Sequence, residues 1–372
     1  MFLPERSPSV DISYNSVVTR VLFDDEVPKS VIGVEFEKKG EFYQMYADKI
    51  ILSAGTIGSA KILLLSGIGP ADHLEELGIE VVQDLPVGKM LQDHITTGMD
   101  LIILDKPIGL QVKNIINPLN IYNYLFGKVM DNPIAFGGCD AMGFIKKNFS
   151  APNLSFMVMP VGLTADHGLH LKNIVNLNDD LWDNYFSPLV GQTTATILPV
   201  LLTPMSNGYV KLRSTNYKDP PVINPRYLSD DKNEDITMLR LGIRFLQLMI
   251  DHPELKKLGA KFNTKPIPGC ERLDFDSDLY WDCYIRHMTM SMFHPVGTCR
   301  MGEYNNTRTV VQKNFQVKNV ENLYVVDGSV LPYAPSANPH ALIAMLARKF
   351  IDSETKKAVV DNKYNRAAKD EL

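Results

Sequence analysis

A short apolar run, Lys49–Ser53, closes on Ala54-Gly55, and a stretch with helical spacing, Ser59–Ser66, follows before Gly67-Ile68-Gly69-Pro70 stops it. Strand, glycine turn and helix together make a corner of an α/β layer, because a residue without a Cβ lets the chain turn sharply and lets a nucleotide approach the backbone. A plain β–α connection fits the same residues. The corner therefore constrains the layer more tightly than the ligand. Upstream of it, Val17–Phe23, Val31–Lys38 and Glu41–Tyr46 are rich in β-formers and separated by charged or glycine-bearing turns, which predicts an antiparallel meander.

At 372 residues the chain is long enough for about two domains. Its 45% hydrophobic and 22% charged residues are ordinary for a globular protein. Lys and Arg number 38 against 43 Asp and Glu, a formal charge of −5, and no basic stripe is interleaved with aromatics, so nucleic acid is not expected as a partner. Apolar stretches such as Ile50–Leu52 and Ile62–Leu65 are far too short for a membrane span. The first thirty residues hold no secretory h-region and no cleavage signal. Of four cysteines, Cys270 and Cys283 bracket a short polar segment that a disulfide would close, a bond that implies an oxidising compartment. Cys139 and Cys299 have no obvious partners, and the lack of a Cys-x-x-Cys pair speaks against structural zinc or a dithiol.

Signals thin out from Thr96 to about Leu202, with amphipathic segments at Ile115–Phe126 and Asp179–Phe186 and a glycine turn at Phe136-Gly137-Gly138. Gly208–Leu212 then alternates like a strand, and Ile236, Leu239, Ile243, Leu246 and Ile250 mark a helix over Asn233–Ile250. Near the end, His294 opens His294-Pro295-Val296-Gly297-Thr298, and Asn338 precedes Pro339 and an apolar helix. A neutral imidazole is the side chain best matched to taking a hydroxyl proton near pH 7. An amide beside it binds the same oxygen without competing for the proton. With Pro339 at the first helical position, the helix Asn338-to-Phe350 offers free N–H groups and a partial positive charge at its start, and Ile343, Leu346, Ala347 and Phe350 form its core face. Asp166-His167-Gly168-Leu169-His170 looks metal-like but lacks a third ligand, so no metal is expected. His287 reads as structural, and Trp281, Phe293 and Tyr333 as pocket lining or core.

These residues carry a resemblance. SAGTIGSAKILLLSGIGP (Ser53–Pro70), LGIEVVQDLPVGKMLQDH (Leu77–His94), SNGYVKLRS (Ser206–Ser214), PPVINPRYLSD (Pro220–Asp230), HPVGTCRMG (His294–Gly302), NLYVVDGSVLP (Asn322–Pro332) and SANPHALIAMLA (Ser336–Ala347) resemble, in order, segments of the glucose–methanol–choline (GMC) oxidoreductases, in particular their insect glucose-dehydrogenase-like and ecdysone-oxidase-like branch. The resemblance implies an FAD enzyme that oxidises a CH–OH group, with a partial Rossmann-like FAD-binding domain and meander, and a substrate domain of antiparallel sheet backed by helices. It implies a division into residues 1–98 (partial FAD-binding domain), 99–205 (substrate domain and connections), 206–350 (the family's C-terminal domain, its last part returning to the FAD layer) and 351–372 (tail). By the same resemblance His294 is the catalytic base and Asn338 the second active-site residue. Val18 meets the adenine, and Ala54, Gly55, Asp327, Gly328, Pro339 and His340 lie along the flavin cofactor. An alcohol is the substrate (sugar, sterol or aromatic), and oxygen or a quinone-like acceptor reoxidises the flavin.

The chain departs from the family in three places. The family's Gly-x-Gly-x-x-Gly turn is absent, since Gly67-Ile68-Gly69 ends a helix rather than opening one. Met90 stands where Asn is expected, and Phe293 where Tyr is frequent. Lys369-Asp370-Glu371-Leu372 is an ER-retention tetrapeptide, and the triplets at Asn148, Asn153 and Asn305 are glycosylation acceptors that suit a lumen. An N-terminal block preceding Met1 would account for both the absent loop and the absent signal peptide. The alternative to an enzyme is a catalytically dead fragment that binds a ligand or partner; a nicotinamide dehydrogenase is the poorer reading without a dinucleotide fingerprint.

Overall fold

The computed structural model describes residues 10–106, 117–127, 132, 134, 138–146, 152–159 and 161–370. Phe136-Gly137, the Asn148 triplet and the last two residues of the Lys-Asp-Glu-Leu tetrapeptide lie outside the described residues. The meander forms as expected: β1 (Ser16–Phe23), β2 (Val31–Lys38) and β3 (Glu41–Tyr46) pair antiparallel in that order. The pairing of β1 with β2 shifts register between Val18 and Arg20, a bulge beside the valine expected at the adenine.

β4 (Ile50–Leu52) pairs in parallel with β17 (Leu323–Val325), so two strands more than 270 residues apart in sequence form the α/β layer of this chain. Helix α1 starts at Gly55 and runs to Leu65, four residues earlier than its apolar spacing predicts. The reason is polar. Thr56 and Ser59 are buried in its first turns because they bond outside the helix, and this masks the hydrophobic period. Gly55 sits at φ +79°, a conformation that a side chain would strain. Gly67-Ile68-Gly69 ends α1, but it also forms β5 (Ile68–Gly69), which pairs with β6 (Gln83–Asp84) and leads through Pro70 into a short helix, Ala71–Glu76.

The second layer is antiparallel. β10 (Ala141–Ile145), β11 (Leu154–Met159), β12 (Thr193–Leu201), β8 (Ile95–Thr96) and β16 (Met290–Ser291) lie side by side in that order. β9 (Ile102–Leu104) also pairs with β12, and β15 (Lys261–Phe262) with β9. Four of these strands fall in the span whose sequence looked featureless. β12 shows why: Pro199 and three threonines interrupt its apolar pattern, yet it is buried over most of its length. Helix Glu234–Ile250 backs this sheet, burying the five aliphatic residues its spacing marked. Each contributes roughly 1.5–3 kcal/mol. Gly242 lets the helix press on the sheet, since an added Cβ would lie 2.5 Å from that of Pro199. A third sheet runs β14 (Val222–Asn224), β13 (Gly208–Lys211), β7 (Lys89–Leu91). Cys270 and Cys283 form a disulfide that ties helix Asp278–Met288 to the loop before it. No helix among the described residues is long and apolar enough to cross a membrane.

Candidate active site

His294 is held by a strip of chain that lies beside it. Gln92 and Val296 exchange both backbone hydrogen bonds (3.0 and 2.8 Å), and Met292 N–H donates to the His94 carbonyl at 2.9 Å. Between those pairings the chain loops outward. Phe293 takes φ +59°, strained for a bulky residue, and Pro295 follows. The loop is pinned by Asp93, whose Oδ1 accepts the His294 N–H at 2.9 Å. Asp93 Oδ2 accepts from Tyr227 Oη at 2.7 Å and from Ser291 Oγ. Burial raises the Asp93 carboxyl above the usual range, and these donors oppose the rise.

The ring of His294 is fixed by a second imidazole. His94 Nδ1 and His294 Nδ1 lie 3.0 Å apart with the rings nearly perpendicular, at 86°. His94 is fully buried, and its Nε2 lies 2.7 Å from the Pro335 carbonyl. Burial pushes the His94 imidazole down to about 4 against the pull of the Pro335 carbonyl and, more weakly, the Leu202 carbonyl, so it is neutral at pH 7. Burial also lowers His294 from its ordinary value, with Asp93 opposing. His294 is only partly buried, and its Nε2 has no hydrogen-bond partner among the described residues. A neutral, oriented imidazole with one open nitrogen is what a general base requires.

The loop of Asn338 comes to the same place. Gln92 Oε1 accepts the Ala334 N–H at 3.2 Å and His94 reaches Pro335, so both ends of the Gln92–His94 strip hold this loop. Val296, Leu331 and Ala334 pack with Leu342, Ile343 and Leu346 in one small core. Asn338 itself is exposed, and its side chain has no hydrogen-bond partner among the described residues. The helix starts at His340, not Asn338. Pro339 is buried just before it, and its carbonyl takes the first helical bond, from Ile343 N at 2.9 Å, so Pro339 stands one place outside the position predicted for it. His340 is exposed; Phe350 is buried, with Leu346 and Ala347 packed against the α/β core.

The corner at Ala54-Gly55 is closed by Asp327. Its Oδ2 accepts from Gly55 N (3.0 Å) and Ser59 Oγ (2.6 Å), and its Oδ1 from Ser329 N (2.8 Å). The Gly55 amide and the Asp327 carboxylate are thus spent on each other. Gly328 sits in a tight spot, since an added Cβ would lie 3.1 Å from Thr56 Oγ1 and 3.2 Å from Ile343 Cδ1 and would push those side chains aside. Thr56 Oγ1 donates to the Pro295 carbonyl at 2.7 Å, stitching α1 to the residue after His294. On the other side of α1, Val18, Ala54, Gly58, Ile62 and Tyr217 wall a cavity of about 370 Å³. Its size and apolar walls suit a flat heteroaromatic ring, so the residues present fit a nucleotide cofactor there. A cavity of about 430 Å³ between Asp84–Lys89 and Tyr304–Asn319 shares no residue with this cluster.

The other residues read from the sequence also find their places. Trp281 is fully buried, its Nε1 donating to Asp276 at 2.8 Å, and it belongs to the core rather than a pocket. Phe293 and Tyr333 are exposed, and Arg300 lies over the Tyr333 ring at 4.9 Å. Asp166 accepts the backbone N–H groups of Gly168, His170 and Leu171, a turn cap rather than a ligand set. Cys270, Cys283 and His287 cluster, but the two sulfurs are bonded to each other, which leaves too few donors for a metal. The Asn153 amide donates to Thr203 Oγ1 inside the fold, whereas Asn305 lies in an exposed turn. Met90 adopts φ +66°, a left-handed conformation that Asn tolerates better, which gives a backbone reason for the Asn expected there. Asp93 and His94 were not singled out from the sequence. The available signal was their place at the end of the family-like segment Leu77–His94.

Comparison with known proteins gives the family and the fold. Two family profiles, both described as GMC oxidoreductase, match residues 1–96 and 204–347. The alcohol dehydrogenase [acceptor] of Pseudomonas putida is 33% identical over 91% of this chain and 57% of its own length. The glucose dehydrogenase [FAD, quinone] of Drosophila pseudoobscura pseudoobscura is 31% identical over 92% of this chain and 52% of its own. A formate oxidase structure superposes with a TM-score of 0.75 at 23% identity, covering 92% of this chain and 60% of that one, which shows the fold. The chain belongs to the GMC oxidoreductase family, whose members include flavoproteins that use FAD. It spans about half the length of the curated relatives it matches.

Proposed function

We propose that this chain carries the proton-accepting site of an FAD-dependent oxidoreductase acting on the CH–OH group of an alcohol. The observation that carries this reading is the state of His294: neutral, clamped at its backbone by Asp93 and at one ring nitrogen by His94, and open at the other. An alcohol hydroxyl placed at the open nitrogen gives its proton to His294, and Asn338 holds the same oxygen by its amide. Bound FAD would supply the hydride acceptor for the carbinol carbon. Val18 and Ala54 wall the cavity that suits the adenine. Gly55, Asp327 and Gly328 shape the corner between that cavity and His294, and Pro339 leads into the helix that begins at His340, whose N-terminal N–H groups favour an anionic ring. The substrate is a sugar, sterol or aromatic alcohol, and oxygen or a quinone-like compound is the final acceptor.

The disulfide between Cys270 and Cys283 and the exposed acceptor at Asn305 support a place in the secretory pathway. Reconstitution with FAD and a screen of sugars, sterols and aromatic alcohols tests the main proposal. A flavin-loaded protein should lose about 10²–10⁴-fold in kcat on His294→Ala while keeping its yellow colour. Undiminished turnover in that variant would remove the base, and a folded chain that stays colourless would point to a ligand-binding remnant.

A further inference from the structure

We infer that His94 is a positioning residue that dictates which nitrogen of His294 carries the proton, so that the basic lone pair always stands at Nε2. A carbonyl oxygen accepts hydrogen bonds and cannot donate, so the 2.7 Å contact between His94 Nε2 and the Pro335 carbonyl places a proton on that nitrogen. His94 is fully buried and neutral, so it has one N–H only, and its Nδ1 is bare. The 3.0 Å contact between the two Nδ1 atoms then needs a donor, and only His294 can supply it. His294 is therefore protonated at Nδ1, and its remaining lone pair is at Nε2, the nitrogen without a partner among the described residues.

The arrangement does for a histidine what a carboxylate does in a catalytic triad, without adding a charge. When the substrate hydroxyl yields its proton to Nε2, the resulting imidazolium still donates from Nδ1 to the bare nitrogen of His94. No proton crosses to His94, whose ring resists a second one. Asp93 is the charged group facing this pair, and it binds the His294 backbone N–H rather than the ring. The other end of the relay is Pro335, three residues before Asn338, so the same bonds that orient the base also place the loop of the second polar residue.

This inference deepens the proposed reading and rests on it for its catalytic meaning, but its test does not need turnover. Long-range ¹H–¹⁵N correlation spectra of the folded chain with labelled histidines report the tautomer of each ring directly. At pH 7.5, His294 should show a protonated Nδ1 and a bare Nε2, and His94 the reverse. His294→Gln identifies the resonances. His94→Phe fills the buried space but offers no acceptor, and His294 should then shift towards the Nε2-protonated form; His94→Asn keeps an acceptor oxygen and should restore the wild-type pattern in part. In flavin-loaded enzyme, His94→Phe should lower kcat about tenfold or more with little change in KM, partly rescued by Asn. A wild-type spectrum with His294 protonated at Nε2 overturns the inference, as does an unchanged His294 tautomer in His94→Phe. Should His94→Phe fail to fold, the wild-type spectrum alone decides. The expected spectrum in a protein that never turns over would refute the enzyme reading and leave the tautomer assignment standing.

Discussion

His294 and Asn338 belong to loops that pack against each other, yet the fold holds them in opposite ways. His294 has its backbone tied to Asp93, its ring tied to His94 and its flanks paired with Gln92. Asn338 sits in a loop anchored at Ala334, Pro335 and Pro339, with its own side chain exposed and unbonded among the described residues. The difference follows the work proposed for each. A base must present one lone pair in one direction before substrate arrives, because reorienting it during the reaction adds to the barrier. A hydrogen-bonding amide settles onto the substrate oxygen as it binds, and ordering one exposed side chain costs little.

Removing the Asp93 clamp should have the largest effect on the fold. Asp93→Ala strands the Tyr227 hydroxyl, the Ser291 hydroxyl and the His294 N–H, and it should lower unfolding free energy by about 3–5 kcal/mol in urea titrations. A loss below about 1 kcal/mol would mean that the cradle is not rigid and would erase the contrast with Asn338.

Acid attacks the same side of the comparison. The folded state depresses His94 from 6.5 to about 4, so the two states bind protons alike above pH 6.5. Below that the unfolded chain takes a proton that the folded chain refuses. Stability should therefore fall from pH 6.5 down to about 4, by on the order of 3 kcal/mol from this residue. The slope attributable to it should vanish in His94→Asn; equal slopes in wild type and variant would show that the buried ring is not the acid-sensitive group.

The exposed side should respond least. Asn338→Ala should change stability by no more than about 0.5 kcal/mol, as surface substitutions do. Its effect should appear in turnover of the flavin-loaded protein instead. A large stability loss would mean that the amide is built into the fold, and the two residues would no longer differ in kind.

Much of this was legible in the chain. The meander was read to within one residue because its strands alternate and its turns carry charge or glycine. Helix Glu234–Ile250 was read because five aliphatic residues keep its period. Where side chains bond across the fold, the local pattern misleads: Thr56 falls outside the helix expected from Ser59 but lies inside α1, its hydroxyl paired with the Pro295 carbonyl. The strands between Ile102 and Leu201 were missed for a related reason. The partners of β9 and β12 lie far off in sequence, and in β12 threonines and a proline blur the alternation; β10 and β11 pair locally but do not alternate in burial.

The order of motifs along the chain determined the family and the expected cofactor and pointed to the proposed base, since each motif is local and needs only neighbouring residues to be recognised. Tertiary structure alone decided what surrounds the base. His94 and Asp93 lie 200 residues before His294, and no local period predicts that a buried strand edge will set two imidazoles nitrogen to nitrogen. Nor does any local pattern predict that the Asp327 carboxylate will be consumed by the start of α1, more than 260 residues away. Burial is a property of the assembled layers. So are the depressed basicity of the two rings and the directions in which their protons point.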